Sequence, residues 1–260
     1  MTGSIYMAAS GALAYKKRLE VLSNNLANMN TVGFKQEKNC FQAFYLSESM
    51  KSNKPDDKNS NASQAPSFWI QLKARTDFSS GALKATGKNF DLALIGPGFF
   101  TVQTPNGIQY TRRGDFTINP QGMLVTQEGW PVLGEGGEIE AETQVDISDT
   151  GGYKFSVDEN GKVSVDGKQI DKLRIVDFPK PNSLEKVGHS FFKPLDVNTT
   201  EADAEGFQIS QGFVELSNVD GVKMMTELIE VLRGYEAYQK VIRSIDDVNA
   251  KVIEEVGRPV

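Results

Sequence analysis

Apolar side chains recur at alternating intervals of three and four along the first stretch of the chain: Ile5, Ala8, Ala12, Tyr15, Leu19, Leu22 and Leu26. This seven-residue repeat predicts a helix with a narrow apolar seam. Lys16, Lys17, Glu20 and Asn24 fall off the seam, and Ala8 and Ala12 are small enough for a partner helix to approach closely. Asn24, Asn25, Asn28 and Asn30 mark the end of the helix, because Asn bonds local backbone and accepts left-handed geometry. Gly33 strengthens the stop.

The carboxyl-terminal stretch repeats the pattern at greater length. Its seam is Met224, Leu228, Val231, Tyr235, Tyr238, Ile242, Ile245, Asn249, Val252 and Val256. Val222, Met225, Ile229 and Leu232 widen the apolar face in the first half. Asn218 or Asp220 can cap the start, and Pro259 lies beyond the end. Gly234 reads as the weak point, costing about 1 kcal/mol relative to Ala. Asn249 either fixes register or marks where the seam reaches solvent. Two arrangements fit these stripes. The helices pack on the body of their own subunit, or they pair with each other and with copies in neighbouring subunits.

Between the helices the pattern changes twice. Leu46 to Phe68 carries no hydrophobic period, and Lys51 to Pro66 is a polar loop or mobile linker. From Thr76 the period becomes two, with Phe90, Leu92 and Leu94 alternating against Asp91 and Ala93. Gln109 to Ile118, a turn at Asn119-Pro120-Gln121-Gly122, and Met123 to Thr126 predict a hairpin. Tyr153 to Val157, Val163 to Val165 and Ile170 to Phe178, joined by Asn160-Gly161 and Asp166-Gly167, predict a meander. The 24 glycines suit many tight turns. The expected fold is α+β: N- and C-terminal coiled-coil-like helices flanking a β-rich central domain, barrel or sandwich-like.

Composition narrows the chemistry. With 28 Lys and Arg against 34 Asp and Glu, the net charge of −6 argues against nucleic acid as a partner. The lone Cys40 allows no intrachain disulfide and reads as a small buried hydrophobe. With His189 the sole histidine, zinc sites rich in His and Cys are excluded. His189 lies between Gly188 and Ser190 and reads as a loop residue. No run reaches the roughly 18 apolar residues of a membrane span. Lys16, Lys17 and Arg18 follow the first apolar stretch, the reverse of a secretory signal, so no cleaved signal is expected.

Apparent motifs dissolve on inspection. Five residues separate Gly81 from Gly87, where a phosphate loop has four, and Asn89 follows Lys88 in place of a hydroxyl residue. Gly96-Pro97-Gly98 lacks the third glycine of a dinucleotide fingerprint. Arg112 and Arg113 read as a solvated hairpin face. Asn61-Ala62-Ser63 and Asn198-Thr199-Thr200 are sequons occurring by chance in polar loops. Acidic residues abound, but their spacing singles out no catalytic pair. No catalytic, metal or cofactor residue is expected.

Other residues carry a resemblance. Ser23-Asn-Asn-Leu-Ala-Asn-Met-Asn-Thr-Val-Gly-Phe-Lys35 resembles the amino-terminal motif of bacterial flagellar rod and hook proteins. Gly81-Ala-Leu-Lys-Ala-Thr-Gly87, Gly96-Pro-Gly-Phe-Phe100, Tyr110-Thr-Arg112 and Gly129-Trp-Pro-Val-Leu-Gly134 continue it. So do Gln211-Gly212-Phe213, Ser217-Asn218-Val219 and Arg233-Gly-Tyr-Glu-Ala-Tyr238. The run Pro131 to Gly137 leans to the proximal rod branch, with the distal rod branch next. The stretch Lys51 to Pro66 departs from both. The resemblance implies a structural, non-enzymatic rod component of the flagellar basal body. Such a protein passes through the flagellar export apparatus, and the absence of disulfides suits a chain that travels unfolded. Its implied partners are other copies of itself and neighbouring rod or hook proteins. The implied segments are 1–34 (rod helix and Asn-rich motif), 35–75 (extended linker), 76–207 (β domain) and 208–260 (carboxyl-terminal segment and rod helix). The implied assembly surface is the two seams, Ile5, Ala8, Ala12, Tyr15, Leu19, Leu22, Leu26, Leu228, Val231, Tyr235, Tyr238, Ile242, Ile245 and Val252. The rival readings are a β-domain binding module with oligomerising helices, and a hydrolase using scattered carboxylates.

Overall fold

The computed structural model describes residues 2–45, 68–139, 155–196 and 200–256. The polar stretch Lys51 to Pro66, both sequons in part or whole, and Pro259 lie outside them. So do the side chains of Ile5 and Val252. The chain is α+β: a 26-residue helix α1 (Thr2–Ala27), a strand-rich middle, and a 36-residue helix α2 (Gly221–Val256). It divides into two compact units. One comprises Met1–Ser23, Glu37–Arg75 and Thr226–Val260, the other Asn24–Gln36 and Thr76–Met225.

The helices fall where the spacing puts them. Asp220 caps α2, its Oδ1 accepting from the Val222 and Lys223 amides at 3.1 Å each. At the end of α1 the Asn28 side chain donates to the Asn24 carbonyl at 2.9 Å, and Thr31 Oγ1 donates to Asn28 Oδ1. Local amide bonding thus ends the helix, as the asparagine cluster predicts.

In the first unit, strands β1 (Glu37–Tyr45) and β2 (Phe68–Thr76) pair as a two-stranded sheet, though Thr76 itself belongs to the second unit. They fall almost wholly within 35–75, the stretch expected as an extended linker. Both are rich in aromatic residues and free of Gly and Pro, a composition that favours strand.

The second unit centres on a six-stranded antiparallel sheet. Its strands are β5 (Phe99–Thr104), β6 (Gly107–Thr111), β12 (Ile175–Asp177), β13 (Leu184–Gly188), β14 (Phe191–Pro194) and β15 (Ala202–Asp203), in the order β13-β14-β6-β5-β12-β15. Successive side chains point to opposite faces, and both faces are covered. Phe100 and its cross-strand partner Ile175 join a cluster with Leu92, Phe116, Val132 and Ile209. Phe99 and its partner Val176 turn to the other face, with Tyr110, Phe178 and Phe192. Shorter pairs complete the unit: β3 (Leu83–Ala85) with β17 (Phe213–Glu215), β4 (Leu92–Ile95) with β16 (Gln208–Gln211), and β7 (Thr117–Ile118) with β8 (Leu124–Val125).

The meander forms as β9 (Phe155–Val157), β10 (Lys162–Val165) and β11 (Lys168–Lys172). The run Ile170 to Phe178 does not stay in it, because Ile175–Asp177 crosses to the large sheet. The predicted hairpin shrinks to β7 and β8, since Gln109 to Thr111 belongs to β6. Arg112 to Phe116 separates β6 from β7.

Candidate functional site

Arg112 and Arg113 are not a solvated face. Arg112 is buried, donating to the Leu94 carbonyl at 3.2 Å and the Gly96 carbonyl at 2.7 Å, with its guanidinium 5.3 Å from the Phe99 ring centroid. Arg113 forms a bidentate pair with Asp115 at 3.0 and 2.9 Å and reaches Glu128 at 2.5 Å. Burial works against the Arg113 charge, but Asp115 and Glu128 outweigh it and hold the guanidinium above its ordinary range. Nothing beside Arg112 in the sequence marks the Leu94 and Gly96 carbonyls, 18 and 16 positions away, that its guanidinium reaches.

Arg112 belongs to a buried cluster assembled from three remote segments. Lys35, 1% exposed, donates to Glu215 Oε1 at 2.7 Å and to the Ser79 carbonyl at 2.8 Å. Glu215, also 1% exposed, accepts the Gly81 amide on the same Oε1 at 2.7 Å. Its Oε2 lies 3.8 Å from Arg112 Nη1. Asn218 closes the cluster: its Oδ1 accepts the Gln36 amide at 2.8 Å, while its Nδ2 donates to the Asp77 and Ser79 carbonyls at 2.9 and 3.0 Å. Lys186 covers one side, its ammonium 3.6 Å from the Phe34 ring centroid and 3.1 Å from the Lys35 carbonyl. Gly33 permits the approach. Its φ of +64° is left-handed, its amide donates to the Glu215 carbonyl at 2.8 Å, and a Cβ there would lie 2.5 Å from the Arg113 nitrogen.

Two cations share one carboxylate in this cluster, away from water. Burial lowers the Lys35 pKa, opposed by the Glu215 charge and hydrogen bond. Burial likewise lowers Arg112, again opposed by Glu215. Most polar groups here hold backbone or another charge, the arrangement of a structural clamp; Arg112 Nε and Glu215 Oε2 alone have no hydrogen-bond partner. A cleft of about 880 Å³ nearby contains Asp91 and Asp115, but Asp115 is tied to Arg113. Among the described residues no group of three His, Cys, Asp or Glu is placed to hold a metal. His189, 71% exposed, occupies a left-handed turn (φ +47°). Cys40 is partly exposed, not buried as its type suggested.

The seam residues have their own geometry. Ala8, Leu22 and Val231 are buried. Ala12, Tyr15, Leu19, Leu26, Leu228, Tyr235, Tyr238, Ile242 and Ile245 are half-buried. Tyr15 and Tyr238 meet within the one chain, ring centroids 5.4 Å apart. Each ring sits over a glycine of the opposite helix. A Cβ on Gly11 would lie 2.4 Å from the Tyr238 ring, and a Cβ on Gly234 2.1 Å from the Tyr15 ring. Residue 11 faces 238 and residue 15 faces 234, so the helices run antiparallel there. The sequence reading misses both glycines as contacts. Their signal is a Gly four residues before a seam Tyr on each helix, Gly11 with Tyr15 and Gly234 with Tyr238.

Three family models match the chain in order. Residues 5–35 match the flagella basal body rod protein model, 93–165 the flagellar hook protein FlgE/F/G D1 domain, and 210–255 the flagellar basal body rod FlgEFG protein C-terminal model. Lys35 lies in the first match, Arg112 in the second, and Glu215 and Asn218 in the third, so the buried cluster joins all three. Relatives match over nearly their whole length. The flagellar basal-body rod protein FlgF of Caulobacter vibrioides is 33% identical, covering 99% of both chains. FlgF of Rhizobium meliloti is 32% identical, again over 99% of both. FlgG of Bacillus subtilis is 31% identical over 97% of this chain and 98% of its own. With its terminal motifs, its middle and its overall length all matched, this chain belongs to the flagellar basal-body rod protein family.

Proposed function

We propose that this chain is a structural axial component of the flagellar basal-body rod, and that it assembles through its terminal helices. The observation that carries the reading is the surface of α2. Its seam is turned inward, yet Val222, Met225, Ile229 and Leu232, at intervals of three and four, remain 79, 49, 53 and 41% exposed. An isolated soluble helix gains nothing from a second apolar stripe. In the rod that stripe meets helices of other copies and of neighbouring rod and hook proteins. The seams of both helices, from Ile5 to Leu26 and from Leu228 to Val252, build the coiled-coil-like pair that presents it. The strand-rich body is sandwich-like.

In this reading the mechanism is mechanical. Head-to-tail contacts between unlike surfaces propagate a helical rod and do not close a dimer. Packed helices then pass torque along it. No cofactor, nucleic acid or catalytic residue takes part, and the chain reaches its place through the flagellar export apparatus. No helix among the described residues is long and apolar enough to cross a membrane.

The test is Ile229→Asp, on the exposed stripe, beside Leu22→Asp, on the buried seam. Motility, incorporation into basal bodies and the thermal melt of each purified variant are measured. Ile229→Asp is expected to abolish incorporation with an unchanged melt. Leu22→Asp is expected to lose both helix content and incorporation, because an unpaired buried charge costs on the order of several kcal/mol. Normal rods containing Ile229→Asp would overturn the assignment of the stripe.

A further inference from the structure

We propose that the Lys35–Glu215–Asn218 cluster couples the two ends of the chain, so that the segment leaving α1 and the segment entering α2 are held only together. This coupling is independent of what the helices later assemble with. Four hydrogen bonds join residues 33–36 directly to residues 215–218. They are Gly33 N to Glu215 O at 2.8 Å, Lys35 Nζ to Glu215 Oε1 at 2.7 Å, Gln36 N to Asn218 Oδ1 at 2.8 Å, and Asn218 N to Phe34 O at 3.4 Å. The ion pair alone spans 180 positions of sequence. A third segment, Asp77 to Gly81, bonds to both, through Ser79 O to Lys35 and Asn218 and through Gly81 N to Glu215.

Each half-open state leaves a buried group uncompensated. If residues 33–36 leave, Glu215 Oε1 keeps only the Gly81 amide and Asn218 Oδ1 loses its donor. If residues 215–218 leave, the Lys35 ammonium keeps only the Ser79 carbonyl. An unpaired charge inside a fold is among the costliest single defects. Arg112 compensates only in part: when residues 33–36 leave it keeps an ion pair with Glu215 at 3.8 Å, longer than the 2.7 Å Lys35 contact and without a hydrogen bond to Oε2, and when residues 215–218 leave it offers the Lys35 ammonium nothing. Both half-open states are therefore disfavoured, and the segments open as one. An apolar plug at this place would not couple them in this way, since apolar contact is non-directional and a remaining half would re-pack.

Amide hydrogen exchange on the full chain tests the coupling. The Gly33, Gln36, Gly81 and Asn218 amides report on the cluster, and none bonds to the Lys35 ammonium. The Gly161 amide, bonded to Asp158 O at 3.0 Å in the meander, is the control. Lys35→Met is expected to speed exchange at all four together, on the order of tenfold or more, with Gly161 unchanged. Asn218→Ala, which removes no charge, is expected to speed Gly33 and Gly81 as well as Gln36. Acceleration of Gln36 alone in Asn218→Ala, or an unchanged set in Lys35→Met, would overturn the proposal. If Lys35→Met unfolds the whole unit and Gly161 accelerates too, the Asn218→Ala result decides.

Discussion

Replacing Gly234 by Ala should fail to give the stabilisation that helix propensity dictates. In an exposed helix interior the change gains about 1 kcal/mol, because Ala restricts the unfolded chain and Gly does not. Here the new methyl would fall 2.1 Å from Tyr15 Cε1 and 2.8 Å from Cδ1 and Cζ. Ordinary contact begins near 3.4 Å, so the Tyr15 ring has to move by more than an ångström. Overpacking of that kind costs about 1–3 kcal/mol. If the ring instead swings away, it forfeits its contact with Tyr238 at 5.4 Å, worth about 0.5–1.5 kcal/mol. Set against the propensity gain, overpacking makes Gly234→Ala destabilising by roughly 0–2 kcal/mol, and a ring that swings away leaves it within roughly 0.5 kcal/mol of neutral. The missing propensity gain is the informative quantity, and a double-mutant cycle reads it. In a Tyr15→Ala background the clash is gone, and Gly234→Ala is expected to stabilise by about 1 kcal/mol. Denaturant unfolding followed by far-ultraviolet circular dichroism gives all four free energies. Equal stabilisation by Gly234→Ala in both backgrounds would refute the socket, leaving Gly234 as an ordinary weak point.

Two further outcomes follow from single contacts. Asp220→Ala removes the acceptor for the Val222 and Lys223 amides and a favourable charge at the start of α2; a loss of about 1 kcal/mol in denaturant unfolding is expected, and Asp220→Asn should recover most of it. Tyr110 is buried and its hydroxyl donates to Glu201; burial first, and then Glu201, raise its pKa above the ordinary 10.0. A folded-state value above the unfolded one gives stability that is complete below about pH 10 and is lost as the pH climbs toward the folded value. The stability difference between the wild type and Tyr110→Phe should therefore hold constant to about pH 10 and then shrink by up to about 1.4 kcal/mol per pH unit; parallel profiles from pH 7 to 11 would contradict this.

How much of the molecule was legible follows from which forces act locally. Helix seams, turn glycines and alternating strands are short-range patterns, and α1, α2 and the first two strands of the meander stand where those patterns put them. The Asp220 cap was legible for the same reason. What escaped needed long-range information. Arg112 reads as a surface cation because its acceptors, Leu94 O and Gly96 O, are backbone atoms in and just after β4, and backbone acceptors leave no mark in a sequence. Lys35 and Glu215 are separated by 180 positions, and nothing in either neighbourhood names the other. The motif Gly33-Phe34-Lys35 was visible as a family resemblance, but its reason was not. The edge of the meander was misjudged because Ile170 to Phe178 reads as one apolar-rich run, and only the sheet decides that its second half belongs elsewhere.

The two units solve one problem with different chemistry. A seam repeating every seven residues is nearly unchanged by a slide of seven, so apolar spacing alone leaves the register of α1 on α2 degenerate. The tyrosine–glycine sockets remove that degeneracy. A slide of one repeat would place Tyr15 against Glu227 or Val241 instead of Gly234, and either side chain carries the Cβ that the 2.1 Å approach forbids. The cost of a glycine in mid-helix, about 1 kcal/mol, is thus the cost of a single register. At the roots of the helices the same end is reached through charge. A buried Lys–Glu pair is seldom more stabilising than an apolar plug of equal size. Its hydrogen bonds nevertheless specify which residues meet, down to Glu215 Oε1 taking both Lys35 and the Gly81 amide. Sockets in one unit and charges in the other therefore fix the same quantity, the position of one end of the chain against the other, and a shift in either should be felt as a loss of register before it is felt as a loss of fold.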